Sequence, residues 1–326
     1  MKKVKDYLLN RRDSLSLTIA LVLLIMALLP LSLPLKHNIY SYMLVLDISQ
    51  SMNTQDMRLD GKPVSRIVYS QKLLSDLVTS MPCGTKVSIA PFAGVSISPL
   101  YTPIEVCANY AAIQDTIKHL EWRMAWSGNS RIRESMFSVA RAVRALPEPV
   151  QVVFLTDGEE APKLHVFNTK KLEGFQGGND WLLVGIGDIK GAAIPKYDEK
   201  NQLTGYWANE SFALQPGIAQ ISEQNIGTRN ENVAGGVADR FISKLAEDYL
   251  QSLAKDISAI YVRGDSLRAI QTAMRDQKPA RRDIAPFQLH WILALLAGLV
   301  LLGAYVPKHP LAALKKSRIA ARLRFR

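Results

Sequence analysis

Two long segments without Asp, Glu, Lys or Arg bracket this chain of 326 residues. Residues 14–35 form the first, over 22 positions, and residues 284–307 form the second, over 24. A helix of about 20 apolar residues crosses a bilayer. We therefore predict transmembrane helices over residues 15–35 and 284–307. Two alternatives stay open, a cleaved signal peptide for the first segment and a buried core helix for the second.

Most of the net charge of +11 lies in the two terminal tails of the chain. Residues 1–14 hold five basic and two acidic side chains, and residues 307–326 hold seven basic and none acidic. The positive-inside rule places both tails, 1–14 and 308–326, in the cytoplasm and the body between the helices on the far side of the membrane. That body is nearly neutral, which argues against nucleic acid as a partner. Anionic membrane lipid is the partner expected for the tails.

The body, residues 36–283, alternates apolar strand patterns with stretches at helical spacing. The strand patterns cover Ile39–Leu46, Val87–Phe92, Val150–Leu155, Trp181–Ile186 and Ser258–Val262. Strands this apolar are typical of a mainly parallel sheet covered by helices on both faces. We predict an α/β domain of this kind, with one antiparallel edge strand over Val95–Leu100. Residues 188–240 are rich in Gly, Asn and Gln and are predicted to be an irregular insertion.

Three polar segments are expected to meet at the carboxyl edge of this sheet. Asp47 to Ser51 follows the first strand, Ser130 precedes a helix, and Asp157 follows a later strand. Ligands bind at this edge in open α/β sheets. Two carboxylates and three hydroxyls are all-oxygen donors, which suit Mg²⁺ or Mn²⁺. The predicted metal ligands are Asp47, Ser49, Ser51, Ser130 and Asp157.

The Asp-x-Ser-x-Ser pattern with these two later segments resembles the von Willebrand factor A (VWA) domain and its metal-ion-dependent adhesion site, MIDAS. Ser130 stands where the family usually has Thr, and Arg133 stands where it often has Gly. Ser65-Arg66-Ile67 and Leu155 to Glu160 are also similar to bacterial membrane-anchored VWA proteins. These include the Bat aerotolerance type and relatives encoded near MoxR-type ATPases. Ile194 to Asp198, followed by Gly205-Tyr206-Trp207, resembles VWA proteins of methanol-oxidation gene clusters.

The resemblance implies a bacterial inner-membrane protein with a Rossmann-like, periplasmic VWA domain. It also implies metal-dependent binding of a protein partner that offers a carboxylate, with a functional link to a MoxR-type ATPase, and no enzymatic activity. Two other interpretations remain, a scaffold with a vestigial metal site and a metal-assisted hydrolase. The hydrolase would need Asp56, Glu159 or Glu160 as its general base. We expect the two Glu side chains to be solvated loop charges and Asp56 to be an exposed turn residue.

The two cysteines are expected at the sheet edge opposite the metal. Cys83 follows one helix pattern and Cys107 precedes the next. They are either a disulfide or a pair of buried thiols, and the sequence does not decide between these states.

Overall fold

A computed structural model describes residues 12–128, 130–161, 163–164, 169–211 and 233–305 of the chain. The chain divides into two units. One unit consists of residues 1–37 and 283–326, and the other of residues 38–282. The predicted cytoplasmic tails fall almost entirely outside the described residues.

The elements of the chain, numbered in order, are mostly short strands and amphipathic helices. They are α1 (Arg12–Leu28), β1 (Ser32–Ile39), β2 (Ser41–Asp47), β3 (Met57–Leu59), β4 (Lys62–Val64), α2 (Arg66–Ser80), β5 (Lys86–Ala93), β6 (Ser96–Ile97), β7 (Ile104–Glu105), α3 (Tyr110–Lys118), α4 (Ile132–Ala145), β8 (Gln151–Thr156), β9 (Leu182–Gly185), β10 (Ala192–Ala193), β11 (Pro195–Tyr197), β12 (Leu203–Tyr206), β13 (Ile242–Ser243), α5 (Glu247–Asp256), β14 (Ile260–Arg263), α6 (Leu267–Asp276), β15 (Arg281–Gln288) and α7 (His290–Tyr305).

The centre of the larger unit is a sheet in the order β14-β9-β8-β2-β5-β6, with β7 also paired to β5. The five strands from β14 to β5 are parallel. The short strands β6 and β7 run antiparallel to β5. The sequence prediction of a mostly parallel sheet with an antiparallel edge is confirmed. The antiparallel edge strand β6 is shorter than the predicted range, although Ser98 and Leu100 still donate backbone hydrogen bonds to the Pro91 and Ile89 carbonyls of β5.

Both faces of the sheet are buried, which explains why its strands are continuously apolar. Every residue of β2 is buried. Successive side chains point to opposite faces, so Leu44 and Leu46 pack on one side and Met43 and Val45 on the other. Helices α2, α3 and α6 cover the first face, and α4 and α5 cover the second.

The insertion, predicted to be irregular, contains regular structure in its described part. Strands β11 and β12 form an antiparallel hairpin, and β10 pairs antiparallel with β13. Ile194, Trp207 and Phe241 form a small separate core with Ala161. Residues 212–232 lie outside the described part of the chain. The strands are short and rich in polar residues, so the sequence pattern did not reveal them.

The smaller unit contains helices α1 and α7, which pack against each other, and strands β1 and β15, which pair. Both helices are shorter than predicted. α1 ends at Leu28, and the residues from Ser32 onward, which we expected to be helical, are the strand β1. Pro30 lies between helix and strand, and proline ends a helix at the residue before it. In the described part of the chain, no helix combines the length and the apolar character needed to cross a membrane.

The edge of the sheet opposite the carboxyl ends carries a covalent link. Cys83 follows α2, Cys107 precedes α3, and the two form a disulfide with a Cα–Cα distance of 5.3 Å. The pairing resolves the choice that the sequence had left open, and it closes a loop with a sequence separation of 24.

Candidate metal site

The register between β2 and β8 creates the centre of the site. Leu46 pairs with Leu155, so the next residues, Asp47 and Thr156, end neighbouring parallel strands side by side. The Thr156 hydroxyl donates a hydrogen bond of 2.7 Å to Asp47 Oδ2 and accepts one of 3.1 Å from the Gly158 amide. Asp47 is fully buried. The carboxylate is therefore held in one orientation at the carboxyl edge.

The loop after β2 brings two hydroxyls together. The Ser49 amide donates to Asp47 Oδ1 at 2.9 Å, and a short 3-10 helix begins at Gln50. This turn places Ser49 Oγ 3.2 Å from Ser51 Oγ. Both serines are buried. The Asp-x-Ser-x-Ser segment thus groups its oxygens at one point, as the sequence predicted.

Asp157 is held by three contacts. Its Oδ1 accepts the Glu159 amide at 2.9 Å, and its Oδ2 accepts Arg66 Nη1 at 2.8 Å. Its carbonyl accepts the Ala246 amide at 2.8 Å, immediately before α5. Asp157 is fully buried.

Ser130 reaches the same edge from a different part of the chain. It forms an isolated parallel bridge with Gly94, which follows β5, and its hydroxyl donates to the Glu159 carbonyl at 2.5 Å. The hydroxyl oxygen keeps a lone pair for a further partner. The structure therefore brings all five predicted ligands to one edge, although Ser130 contacts the backbone beside Asp157 rather than a ligand side chain.

Arg133, which replaces a small residue of the family pattern, does not contact this cluster. Its Nη1 pairs with Asp256 at 2.8 Å and its Nε donates to the Lys170 carbonyl at 2.6 Å. The side chain of this larger residue is thus held by partners of its own.

The ionised form of the Asp47 carboxyl is disfavoured at this edge. Burial, together with the nearby negative charge of Asp157, raises the pKa of the Asp47 carboxyl to about 7. A buried carboxylate of this kind is stabilised by an adjacent cation.

Two acidic residues differ from the expectation that they are solvated or exposed. Glu160 is buried, its Oε1 accepts the Arg133 amide at 2.8 Å and the Tyr249 hydroxyl at 2.6 Å, and burial raises its pKa. It thereby caps the start of α4, which lacks a capping side chain of its own. The Asp56 side chain is only 4% exposed because it pairs with Arg66 at 2.6 Å. The expectation was wrong for both because the partners lie far away in sequence or on another element.

Arg66 is the residue that the sequence analysis missed. It is fully buried and lies in the first turn of α2, with contacts to both Asp56 and Asp157. A signal existed, because Arg66 shares a helical face with the buried Ser70 and Leu73 at spacings of four and seven.

The insertion, together with the strand β13 that pairs with its strand β10, lies beside the site. Ser243 of β13 accepts Arg66 Nη1 at 2.7 Å and donates to the Glu159 carboxylate. The Tyr197 hydroxyl, in the β11–β12 hairpin, accepts Gln55 Nε2 at 3.1 Å. The insertion is therefore hydrogen-bonded to the loops that carry the candidate ligands.

The residues that form this edge also lie in a segment that matches a known family. Residues 42–160 match the family model of the von Willebrand factor type A domain. This part of the chain is similar to VWA domains. The matched segment runs from β2 to Glu160 and so includes all five candidate ligands, and the family resemblance read from the sequence is confirmed.

Two solved structures are similar to the chain. An aerotolerance-related membrane protein from Bacteroides fragilis is 23% identical, with a TM-score of 0.49; the match covers 73% of this chain and 98% of that one. BatB from Bacteroides thetaiotaomicron is 19% identical, with a TM-score of 0.49 and coverage of 72% and 97%. No curated protein sequence matches the chain.

Proposed function

We propose that this protein is a membrane-tethered VWA module that binds a protein partner through a divalent metal ion, Mg²⁺ or Mn²⁺, and helps to assemble or mature an envelope complex. The observation that carries the proposal is the convergence of Asp47, Ser49 and Ser51 with Asp157 and Ser130 at one buried edge. The ion would accept a carboxylate of the partner at an open coordination position.

The chemistry of the donors fits such an ion. Oxygen donors with few negative charges suit Mg²⁺ or Mn²⁺ and leave the ion able to attract a further anion. Thr156 and the Ser49 amide orient the Asp47 carboxylate, and the Glu159 amide orients that of Asp157. These hydrogen bonds fix the ligands before any ion arrives, which lowers the cost of ordering them.

The environment of the acidic residues favours binding over hydrolysis. A hydrolase would need a general base beside the metal, and three acidic residues are candidates. Asp56 pairs with Arg66, Glu160 accepts two hydrogen bonds, and the Glu159 carboxylate accepts the Ser243 hydroxyl. These contacts orient all three carboxylates toward protein partners, which favours a binding role over a catalytic one.

Membrane attachment is proposed from the two apolar segments. Helices α1 and α7 carry large apolar side chains that are at least half exposed, such as Leu17, Leu21, Leu299 and Leu302. Apolar surface of this extent is typical of a contact with lipid or protein. The basic tails that flank these helices in the sequence favour cytoplasmic termini and a periplasmic VWA domain. The Cys83–Cys107 disulfide supports the same placement, because disulfides persist in oxidising compartments.

The proposal is tested on the full-length protein in detergent by calorimetric titration with MgCl₂ and MnCl₂. We expect binding by the wild type and none by Asp47→Ala, because this change removes the central anionic ligand. Asp76→Ala is the matched control, since Asp76 is a partly exposed residue that pairs with Lys72 on α2. It should bind metal like the wild type. Absence of binding by the wild type at millimolar metal would favour the scaffold without metal.

Partner binding is tested by crosslinking in native membranes with and without a chelator. We expect crosslinks that disappear with the chelator and in Asp47→Ala but persist in Asp76→Ala. Crosslinks that are unchanged by both treatments would contradict a role for the metal.

A further inference from the structure

The Arg66 guanidinium is enclosed on all sides by acceptors. Nε and Nη2 donate to the Asp56 carboxylate at 3.0 Å and 2.6 Å. Nη1 donates to Asp157 Oδ2 at 2.8 Å and to Ser243 Oγ at 2.7 Å. A Cβ on Gly187 would lie 2.8 Å from Nε, so glycine is needed for this close approach. The buried guanidinium of Arg66 is thus surrounded by acceptors and closely packed.

Fold stability alone does not explain a cation at this position. Arg66 is the first residue of α2, after the capping Ser65, where the helix dipole disfavours positive charge. A buried ion pair is on average no more stabilising than a well-packed apolar residue. Burial disfavours the charged form, yet Asp157 and Asp56 outweigh this effect and raise the pKa of Arg66. The guanidinium charge therefore acts mainly on the carboxylates that pair with it.

Three carboxylates favour the charged form of the Arg66 guanidinium, namely Asp157, Asp56 and Glu159. Asp157 also acts on the buried Asp47 carboxyl. Arg66 contacts Asp157 at Oδ2, so a divalent cation bound at Asp157 would share that carboxylate with the guanidinium.

We infer that Arg66 is a positioning residue that sets how tightly the VWA-like site holds its metal ion. Asp56 modifies this effect of Arg66. This inference rests on the proposed metal-binding function. Arg66 holds the Asp157 carboxylate and offsets the negative charge of that carboxylate, which weakens metal binding. Asp56 takes up part of the Arg66 charge and so relieves that effect. An ion held in this way would stay electrophilic toward a partner carboxylate.

The inference predicts opposite effects for two substitutions at one ion pair. Arg66→Gln removes the competing cation and should tighten binding of Mn²⁺ about tenfold. Asp56→Asn leaves the guanidinium charge to act on Asp157 alone and should weaken binding about tenfold. Arg66→Lys, which keeps the charge, should stay nearer the wild type than Arg66→Gln does. Affinity is measured by calorimetric titration of the full-length protein with MnCl₂, and folding by thermal melting with a chelator present.

Arg133→Gln is the matched control. It removes the same charge from a residue close to Ser130 in sequence, but its guanidinium pairs with Asp256. Its metal affinity should equal that of the wild type. If Arg66→Gln does not fold, Asp56→Asn and Ser243→Ala test the inference in its place. Each substitution weakens or removes one acceptor of the guanidinium, so each should weaken metal binding.

A purely structural role would destabilise the fold in both main variants and shift their affinities in the same direction. That result, or shifts no larger than in Arg133→Gln, overturns the inference while the proposed function stands. Absence of metal binding in the wild type and in all variants overturns both. Opposite shifts in Arg66→Gln and Asp56→Asn support the inference.

Discussion

The two edges of the central sheet hold their loops in place by different means. At the carboxyl edge, the loops are held by the charged residues Asp47, Asp157 and Arg66, which are all fully buried. At the opposite edge, the Cys83–Cys107 disulfide is covalent, and the ion pair of Lys86 with Glu148 is partly exposed. The first arrangement would respond to a bound cation, whereas the disulfide of the second would not.

This difference separates binding from stability. Buried charges are costly unless they are paired, so the carboxyl edge has energy to gain from a bound cation. The opposite edge has no comparable buried carboxylates among the described residues, and its disulfide does not depend on bound ions. We therefore expect changes at the opposite edge to alter stability without altering metal binding.

The largest effect is expected from removal of the disulfide. The double variant Cys83→Ser/Cys107→Ser should lose about 3 kcal/mol of unfolding free energy, because the unfolded chain is no longer restrained by the closed loop. Denaturant unfolding of the oxidised wild type and the variant measures the loss. Metal affinity should not change. A weakened metal site in this variant would show that the two edges are coupled.

Two glycines with positive φ provide a direct comparison of the edges. A Cβ on Gly158, which follows Asp157, would lie 2.7 Å from Leu250 Cγ, whereas a Cβ on Gly84 would meet no atom within 4 Å. Gly158→Ala should cost about 2–3 kcal/mol from strain and overpacking and should weaken metal binding. Gly84→Ala should cost about 1 kcal/mol from backbone strain alone. Equal losses, or an unchanged metal affinity in Gly158→Ala, would contradict the comparison.

The smallest effect is expected at the Lys86–Glu148 pair, where the two charged atoms are 2.8 Å apart. The hydrogen bond from Lys86 holds the pKa of Glu148 below its usual value. The stabilisation is therefore present above the ordinary pKa of a glutamate and is lost as the pH falls through the lowered value. Glu148→Gln should cost less than about 1 kcal/mol at pH 7, and the difference from the wild type should shrink in strong acid. A difference that grows on acidification would mean that the sign is wrong.

Much of the site could be predicted because it depends on strand ends. Once β2 and β8 are recognised as parallel buried strands, Asp47 and Asp157 must share an edge. The extent of the helices was harder to predict. α1 stops at Leu28 although the apolar run continues to residue 35, because an apolar composition does not distinguish helix from strand where Pro30 interrupts the run.

The sequence by itself determined the mostly parallel α/β sheet and the oxygen-rich edge, because both follow from local patterns of two to ten residues. Only the tertiary structure decided the roles of Arg66, Asp56 and Glu160. A buried charge is stabilised by partners distant in sequence: Arg66 contacts Asp157 and Ser243 across separations of 91 and 177 residues. No local pattern specifies such partners, because the low-dielectric compartment that makes them necessary exists only after the chain has folded.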